Sequence, residues 1–126
     1  MSLFVTLLII AFIITLQGFL LQTAMAIAGE RPPAYGEALM TAIIAVVFAT
    51  IATTAFGCTF GVFIGLFSKL LAWCASLAIG TAVTASVYRS RLFLSSGQAI
   101  AVAVIHHVLG YLISGLVWAL VHYWPF

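Results

Sequence analysis

Two adjacent histidines, His106 and His107, are the residues of this sequence best suited to chemistry. Imidazole nitrogens exchange protons near neutral pH and can bind haem iron. Neighbouring residues of a helix point roughly 100° apart, so we do not expect both rings to face one site. The three apolar stretches that precede this pair contain no histidine. A haem held by two histidines would therefore have to be shared between chains.

Two interpretations of the pair remain open. In the first, His106 lies against another helix as a buried neutral residue with one hydrogen-bond partner, which is a structural role. In the second, His106 and His107 bind a cofactor, either haem or a quinone.

Three further polar side chains interrupt apolar stretches: Gln17, Gln22 and Lys69. An amide in hydrocarbon needs a hydrogen-bond partner. Each glutamine should therefore bond a neighbouring helix or lie near the membrane surface, unless the two form a polar track for a solute. We expect Lys69 to extend towards the nearby surface, or to pair with an acidic group of another subunit.

The chain lacks the residue sets that enzymes use. It has no nucleophile with a base, no carboxylate pair and no phosphate-binding loop, so we do not expect an enzyme. Cys58 and Cys74 have no metal-binding or redox spacing, and no metal site is expected. Proton-coupled transport ordinarily uses an acid inside a span, and none is present. A net charge of +2 without a basic stripe argues against nucleic acid as a partner.

The composition predicts that these side chains are placed by membrane-spanning helices. Of 126 residues, 66% are hydrophobic and 5% are charged, and the mean hydropathy is +1.34. A helix that crosses a bilayer needs about 20 apolar residues. We predict an all-α integral membrane protein, a single transmembrane domain over 1–126, with four transmembrane helices arranged as two consecutive helical hairpins. Its charged residues separate the spans: Glu30, Arg31, Glu37, Lys69, Arg89 and Arg91.

Loop-forming residues set the boundaries of the four helices. The first helix is predicted over 2–28, before a loop at 29–36 that contains two prolines. Ser95 and Gln98 have capping-box spacing, which predicts the fourth helix over 98–123. We expect Tyr88, which precedes Arg89, to lie at one membrane interface. Trp118, Tyr123 and Trp124 should lie at the far interface.

The turn between the second and third helices is the least marked boundary. We place it at 57–61, where glycines cluster, with Ser68 and Lys69 as the alternative. The second helix then covers 37–57 and the third 62–88, which puts Lys69 about two turns inside the third helix.

Thr23 to Ala26 resembles the end of a cleavable signal. No Lys or Arg precedes it and its apolar core is too long, so we expect a retained anchor.

An offset of 61 residues aligns the start of the second helix with the start of the fourth. Five of twelve positions are identical when 36–47 is laid on 97–108. A parallel internal repeat would explain this match and would start the third helix near Phe63. Chance similarity between apolar helices is the alternative.

Basic residues predict the orientation in the membrane. Arg31, Arg89 and Arg91 lie in the loops at 29–36 and 89–97, so we expect both loops in the cytoplasm and both termini outside it. A bacterial inner (plasma) membrane is the expected location.

Small residues at helical spacing predict where helices pack. Such residues let backbones approach closely, and that contact drives helix association in lipid. The pattern could also serve self-association, particularly in the GxxxGxxxG stretch. The candidate packing residues are Ala38, Ala42, Ala45, Ala49, Ala52, Gly57, Gly61, Gly65, Ala72, Ser76, Gly80, Ala99, Ala103 and Gly110.

Three functions fit these features. The first is a non-catalytic accessory or assembly subunit that packs on other helices of a larger membrane complex. The second is a homo-oligomeric channel or carrier for a small solute, lined by Gln17, Gln22 and His106. The third is a haem- or quinone-binding subunit that uses His106 and His107. We place the accessory subunit first because no catalytic residue set is present, and its partners would be the bilayer and other membrane subunits.

Overall fold

A computed structural model describes residues 2–123 of the chain. These residues are helical, with no strand among them, and four helices are long and apolar enough to cross a membrane. This confirms the predicted helical class and the predicted number of helices that are long and apolar enough to span a membrane. The elements are α1 (Leu3–Ile27), α2 (Tyr35–Phe56), a π-helical turn (Gly57–Gly61), α3 (Val62–Phe67), α4 (Lys69–Leu92) and α5 (Ser96–Tyr123).

The turn predicted at 57–61 is wrong. The backbone remains helical there, and α2, the π-helical turn and α3 form one apolar helix of 33 residues, Tyr35–Phe67. Gly57 and Gly61 keep right-handed helical backbone angles, with φ −60° and ψ −40° at Gly57 and φ −62° and ψ −33° at Gly61, so neither ends the helix. The second span therefore ends at Phe67 rather than at 57.

The chain reverses instead at Ser68, in the segment that the sequence offered as the alternative. Ser68 is extended, with φ −159° and ψ 117°, and its hydroxyl accepts a hydrogen bond from the Leu71 N–H at 3.1 Å. A serine cap satisfies one of the free amides at a helix start. The third span begins at Lys69 rather than at 62, so the start near Phe63 inferred from the offset is also wrong. Lys69 is thus the first residue of α4 and not two turns inside a helix.

Two other helices, α1 and α5, also begin at side-chain caps. The Ser2 hydroxyl accepts from the Val5 N–H at 3.3 Å at the start of α1. The Ser95 N–H donates to the Gln98 side-chain oxygen at 2.9 Å, and the Gln98 N–H donates to the Ser95 hydroxyl at 3.3 Å. The predicted capping box is therefore present. Of the aromatics predicted at the far interface, Trp118 and Tyr123 are exposed, and Trp124 lies outside the described residues.

Each helix packs on two neighbours. Helix α1 lies against α2 and α5, and α4 lies against the same two helices. The loops at 28–34 and 93–95 lie at one end of the bundle, which we call the loop end. The Ser68 turn lies at the opposite end, which we call the turn end, together with the start of α1 and the end of α5.

Tight packing is confined to the loop end. The buried residues of the described chain all fall within 18–25, 38–45, 80–88 and 94–106, which are the helix halves next to the two loops. An ion pair joins α4 to α2 there: Arg91 Nη2 lies 2.9 Å from Glu37 Oε1, and Arg91 Nε donates to the Thr41 hydroxyl at 3.1 Å. The loop end is the structural core that positions the rest.

Helices α1 and α2 are in close contact at Gly18. A Cβ atom at Gly18 would lie 2.6 Å from Tyr35 Cε2 and 3.2 Å from Leu39 Cβ. The Tyr35 hydroxyl donates to the Thr15 carbonyl at 2.8 Å, and the Tyr35 ring lies 4.7 Å from that of Phe19, measured between centroids. This contact fixes α1 beside α2 and so positions Gln17, the residue next to Gly18.

Candidate functional site

A large cavity lies between α1, α2, α4 and α5 in the half of the bundle towards the turn end. Its volume is about 1160 Å³. Most of its lining is aliphatic or aromatic, and no Asp, Glu, Lys or Arg of the described chain lines it. Its polar lining includes Gln17, Tyr88, His106 and His107, which lie next to the packed loop end. Further polar residues line the wall towards the turn end: Thr50, Thr53, Ser76, Tyr111, Ser114 and His122. The cavity is therefore mainly apolar, with Gln17, His106 and His107 at its inner end.

Three helices contribute to a hydrogen-bonded chain at this inner end. Gln17 comes from α1, Tyr88 from α4 and His106 from α5. His106 Nε2 lies 3.0 Å from Gln17 Oε1, and His106 Nδ1 is hydrogen-bonded to the Tyr88 hydroxyl. An amide oxygen can only accept, so Nε2 carries the proton and donates it. In the neutral ring Nδ1 then accepts, and the Tyr88 hydroxyl donates to it.

Two nitrogen atoms beside this chain have no partner within residues 2–123. One is Nε2 of Gln17. The other is Nε2 of His107, whose Nδ1 lies 2.7 Å from the Ala103 carbonyl oxygen and donates to it. Within the described part of the chain, no side-chain nitrogen or oxygen is both fully buried and without a partner. Both nitrogens are therefore accessible, and both residues line the cavity.

These two groups differ in what they offer a ligand. The Gln17 nitrogen is a hydrogen-bond donor. His107 Nε2 carries the lone pair of a neutral imidazole, because its Nδ1 holds the proton, and it can accept a hydrogen bond or bind a metal.

The expectation that His106 and His107 cannot face one site is wrong. Both line the same cavity, and their ring centroids are 6.3 Å apart. The cavity is wide enough for α5 to present two side chains that point in different directions. His106 also has two side-chain partners, Tyr88 and Gln17, whereas its interpretation as a buried residue with a structural role predicted one.

Tyr88 is the site residue that the sequence did not identify. It was expected at the membrane interface, but only 1% of its surface is exposed, and its hydroxyl bonds to His106. The feature of the sequence that could have identified Tyr88 is the short loop at 93–95. It makes α4 and α5 antiparallel neighbours and brings the last turns of α4 close to the first half of α5.

The other intramembrane polar residues lie away from the cavity. Gln22 Nε2 donates to the Pro33 carbonyl at 3.0 Å, in the loop after α1. Lys69 is exposed at the start of α4, at the turn end. Of Gln17, Gln22 and Lys69, only Gln17 lines the cavity.

The candidate packing residues occupy two environments. Six are buried at helix contacts: Ala38, Ala42, Ala45, Gly80, Ala99 and Ala103. The other eight are half-buried: Ala49, Ala52, Gly57, Gly61, Gly65, Ala72, Ser76 and Gly110. A Cβ atom at Gly57 or Gly65 would meet nothing within 4 Å, so these two glycines do not mark a close contact within the described chain.

Within residues 2–123, no group of three or more His, Cys, Asp or Glu side chains is placed to hold a metal ion. Comparisons of the chain with protein-family models, with curated proteins and with solved structures found no match. The proposed function therefore rests on the cavity and the polar residues at its inner end.

Proposed function

We propose that this protein binds an uncharged lipophilic molecule in the cavity between its membrane-spanning helices. The observation that carries the proposal is the pair of accessible nitrogens, Gln17 Nε2 and His107 Nε2, at the inner end of a mainly apolar cavity. Ligand sites are typically apolar cavities with a few polar groups that fix the orientation of the ligand. This arrangement suits an apolar body with a small polar head.

The absence of charge in the lining specifies the ligand further. No Asp, Glu, Lys or Arg of the described chain lines the cavity. A charged head group placed there would lose its hydration without gaining an ion partner, which is costly in an apolar environment. Phospholipids, ionised fatty acids and organic cations therefore fit poorly, whereas ketones, quinones and alcohols fit.

Two glycines of α5 provide a matched test. Gly110 lines the cavity and Gly115 does not, and a Cβ atom at either would meet nothing within 4 Å. A leucine at position 110 would fill part of the cavity, whereas a leucine at 115 would not. We expect Gly110→Leu to weaken binding of a fluorescent uncharged lipid probe to the protein in nanodiscs. Gly115→Leu should bind like the wild type, and equal binding by both variants would reject the cavity as the site.

A second pair of variants tests the polar end. Gln17→Leu removes the amide that lines the cavity, and Gln22→Leu makes the same change on the same helix at a residue that bonds to the loop. We expect only Gln17→Leu to weaken binding of a probe with a carbonyl group. The loss should be roughly two- to tenfold, which is the contribution of one hydrogen bond.

We also propose that the protein serves as an accessory subunit, because one of its helices exceeds what a membrane crossing requires. Tyr35–Phe67 has 33 residues, or about 50 Å at the usual rise, against about 30 Å of hydrocarbon. Its last part, α3, packs on α4 but not on α1 or α5, and Phe63, Leu66 and Phe67 are exposed there. An apolar helix of a partner subunit would cover them. Native mass measurement after gentle extraction tests this, and a monomer without partners would argue against it.

The two remaining sequence hypotheses receive less support. The homo-oligomeric channel or carrier was to be lined by Gln17, Gln22 and His106, but Gln22 bonds to the Pro33 carbonyl and does not line the cavity. Within one chain, the loop end is closed by Leu21, Ala42 and Val102, each fully buried. For haem, His106 has no free nitrogen unless it gives up Tyr88 or Gln17, which leaves His107 Nε2 as the ligand in each chain. An absorbance spectrum of purified protein with added haem would test that arrangement.

The orientation is also a proposal. Three arginines, Arg31, Arg89 and Arg91, are at the loop end and Lys69 is at the turn end, so the loops are proposed to face the cytoplasm. Single cysteines introduced at Ser95 and Ser68, with the two native cysteines replaced, should react with a membrane-impermeant reagent from opposite sides. Modification of both from one side would contradict the topology.

A further inference from the structure

We infer that Tyr88 and His106 are positioning residues that fix the Gln17 amide with its N–H donors towards the cavity, so that the site selects a ligand carbonyl. The ligand class is then a lipophilic ketone or quinone. This inference rests on the ligand-binding function proposed above.

The first step concerns the proton of the Tyr88 hydroxyl. Tyr88 is almost fully buried, and its hydroxyl has His106 Nδ1 as its one partner among residues 2–123. If Nδ1 carried a proton and donated it, the phenol proton would be left without an acceptor. A buried donor without an acceptor is unfavourable, so the hydroxyl donates and Nδ1 accepts.

The second step concerns Gln17, whose amide orientation follows from the proton position on His106. A neutral His106 with an accepting Nδ1 carries its proton on Nε2. That N–H needs an acceptor, and Gln17 Oε1 lies 3.0 Å away. The amide oxygen is thereby held against α5, and the Gln17 nitrogen is the end that remains for the cavity.

The third step is the chemical consequence for the ligand. A carbonyl oxygen only accepts hydrogen bonds, so a ketone or quinone can bond to the nitrogen end of the amide and not to its oxygen end. A hydroxyl both donates and accepts, so an alcohol can bond to either end. Losing the fixed amide orientation should therefore weaken ketone binding and leave alcohol binding nearly unchanged.

The test compares two ligands with the same carbon chain, 2-tridecanone and 2-tridecanol, by competition against a fluorescent lipid probe in nanodiscs. In Tyr88→Phe the ring of His106 loses its fixed proton position and the Gln17 amide can turn. We expect ketone affinity to fall by roughly two- to tenfold, the value of one hydrogen bond, while alcohol affinity changes by less than about twofold. Tyr123→Phe removes a hydroxyl at an exposed position that does not line the cavity and should change neither affinity.

The outcomes separate the two proposals. If neither ligand binds the wild-type protein, the proposed function fails, and the inference fails with it. If both ligands bind and Tyr88→Phe changes their affinities by the same factor, or changes neither, the positioning role is wrong while ligand binding stands.

A measurement on the wild-type protein covers the case in which Tyr88→Phe does not fold. The ring carbon and nitrogen chemical shifts of a histidine distinguish its two neutral forms, and the His106 signals can be identified by their loss in His106→Gln. Shifts of the Nε2–H form would support the inference. Shifts of the Nδ1–H form would overturn it.

Discussion

The Gly18→Ala substitution tests the contact that places α1, and with it Gln17, in the bundle. The new methyl carbon would lie 2.6 Å from Tyr35 Cε2, a separation that side chains do not tolerate, so the ring or the helix must move. The ring is held by a 2.8 Å hydrogen bond from its hydroxyl to the Thr15 carbonyl and by contact with Phe19. Overpacking of this kind costs about 1–3 kcal/mol. We expect a loss of that size in the free energy of unfolding.

The assay is reversible unfolding in mixed micelles, followed by circular dichroism, for a double-mutant cycle with Tyr35→Ala. Removing the ring removes the closest contacts and leaves the one to Leu39 Cβ at 3.2 Å, so Gly18→Ala should cost less in the Tyr35→Ala background, and the two effects should not add. Gly115→Ala is the control, because a methyl group there meets nothing within 4 Å. A cost of Gly18→Ala below about 0.5 kcal/mol, or an equal cost with and without the ring, would mean that the Tyr35 ring does not limit the approach of the two helices.

Three smaller predictions concern the turn end and the ion pair. Ser68→Ala should lower stability by about 1 kcal/mol in the same assay, because the Leu71 N–H loses its cap; no change would argue against the turn at Ser68. Gly57→Ala should be neutral or stabilising by up to about 1 kcal/mol, because the position is helical with open space around it. A clear destabilisation would indicate a turn there. Glu37→Gln should cost less than about 1 kcal/mol, because the Glu37 side chain is 51% exposed, and a larger loss at high salt would contradict this.

The spans and most of their ends were predictable because their signals are local. Hydropathy identified four apolar stretches, and the spacing of Ser95 and Gln98 identified the cap at the start of α5. Each of these signals depends on residues within a few positions of one another. A membrane helix satisfies its own backbone hydrogen bonds, so its existence depends little on distant residues.

The turn after the second helix was misplaced because a cluster of glycines was taken as a helix end, whereas Gly57 and Gly61 both keep right-handed helical backbone angles. Glycines often end helices where solvent takes over the free backbone groups. At Gly57 and Gly61 the chain passes through a π-helical turn and continues, while Ser68, with a hydroxyl that can cap, provides the break. A capping residue was the better signal than a cluster of glycines.

The polar chain could not be assembled from the sequence because its members are far apart. His106 is 89 residues from Gln17 and 18 from Tyr88, and each comes from a different helix. The sequence identified Gln17 and His106 separately as residues that need partners. Which partner each takes depends on how the helices are arranged, and neither hydropathy nor spacing encodes that arrangement.

The position of the cavity, in contrast, follows from where the sequence places small and large side chains. The helix halves at the loop end carry alanines at their contacts, including Ala38, Ala42, Ala99 and Ala103, and these let the backbones approach until the residues are buried. Towards the turn end the same helices carry bulky residues, such as Phe12, Trp73 and Trp118, that line the cavity wall. The helices are packed closely at the loop end and leave a space of about 1160 Å³ between them towards the turn end. The cavity thus begins where the buried helix contacts end, and Gln17, His106 and His107 lie at that level.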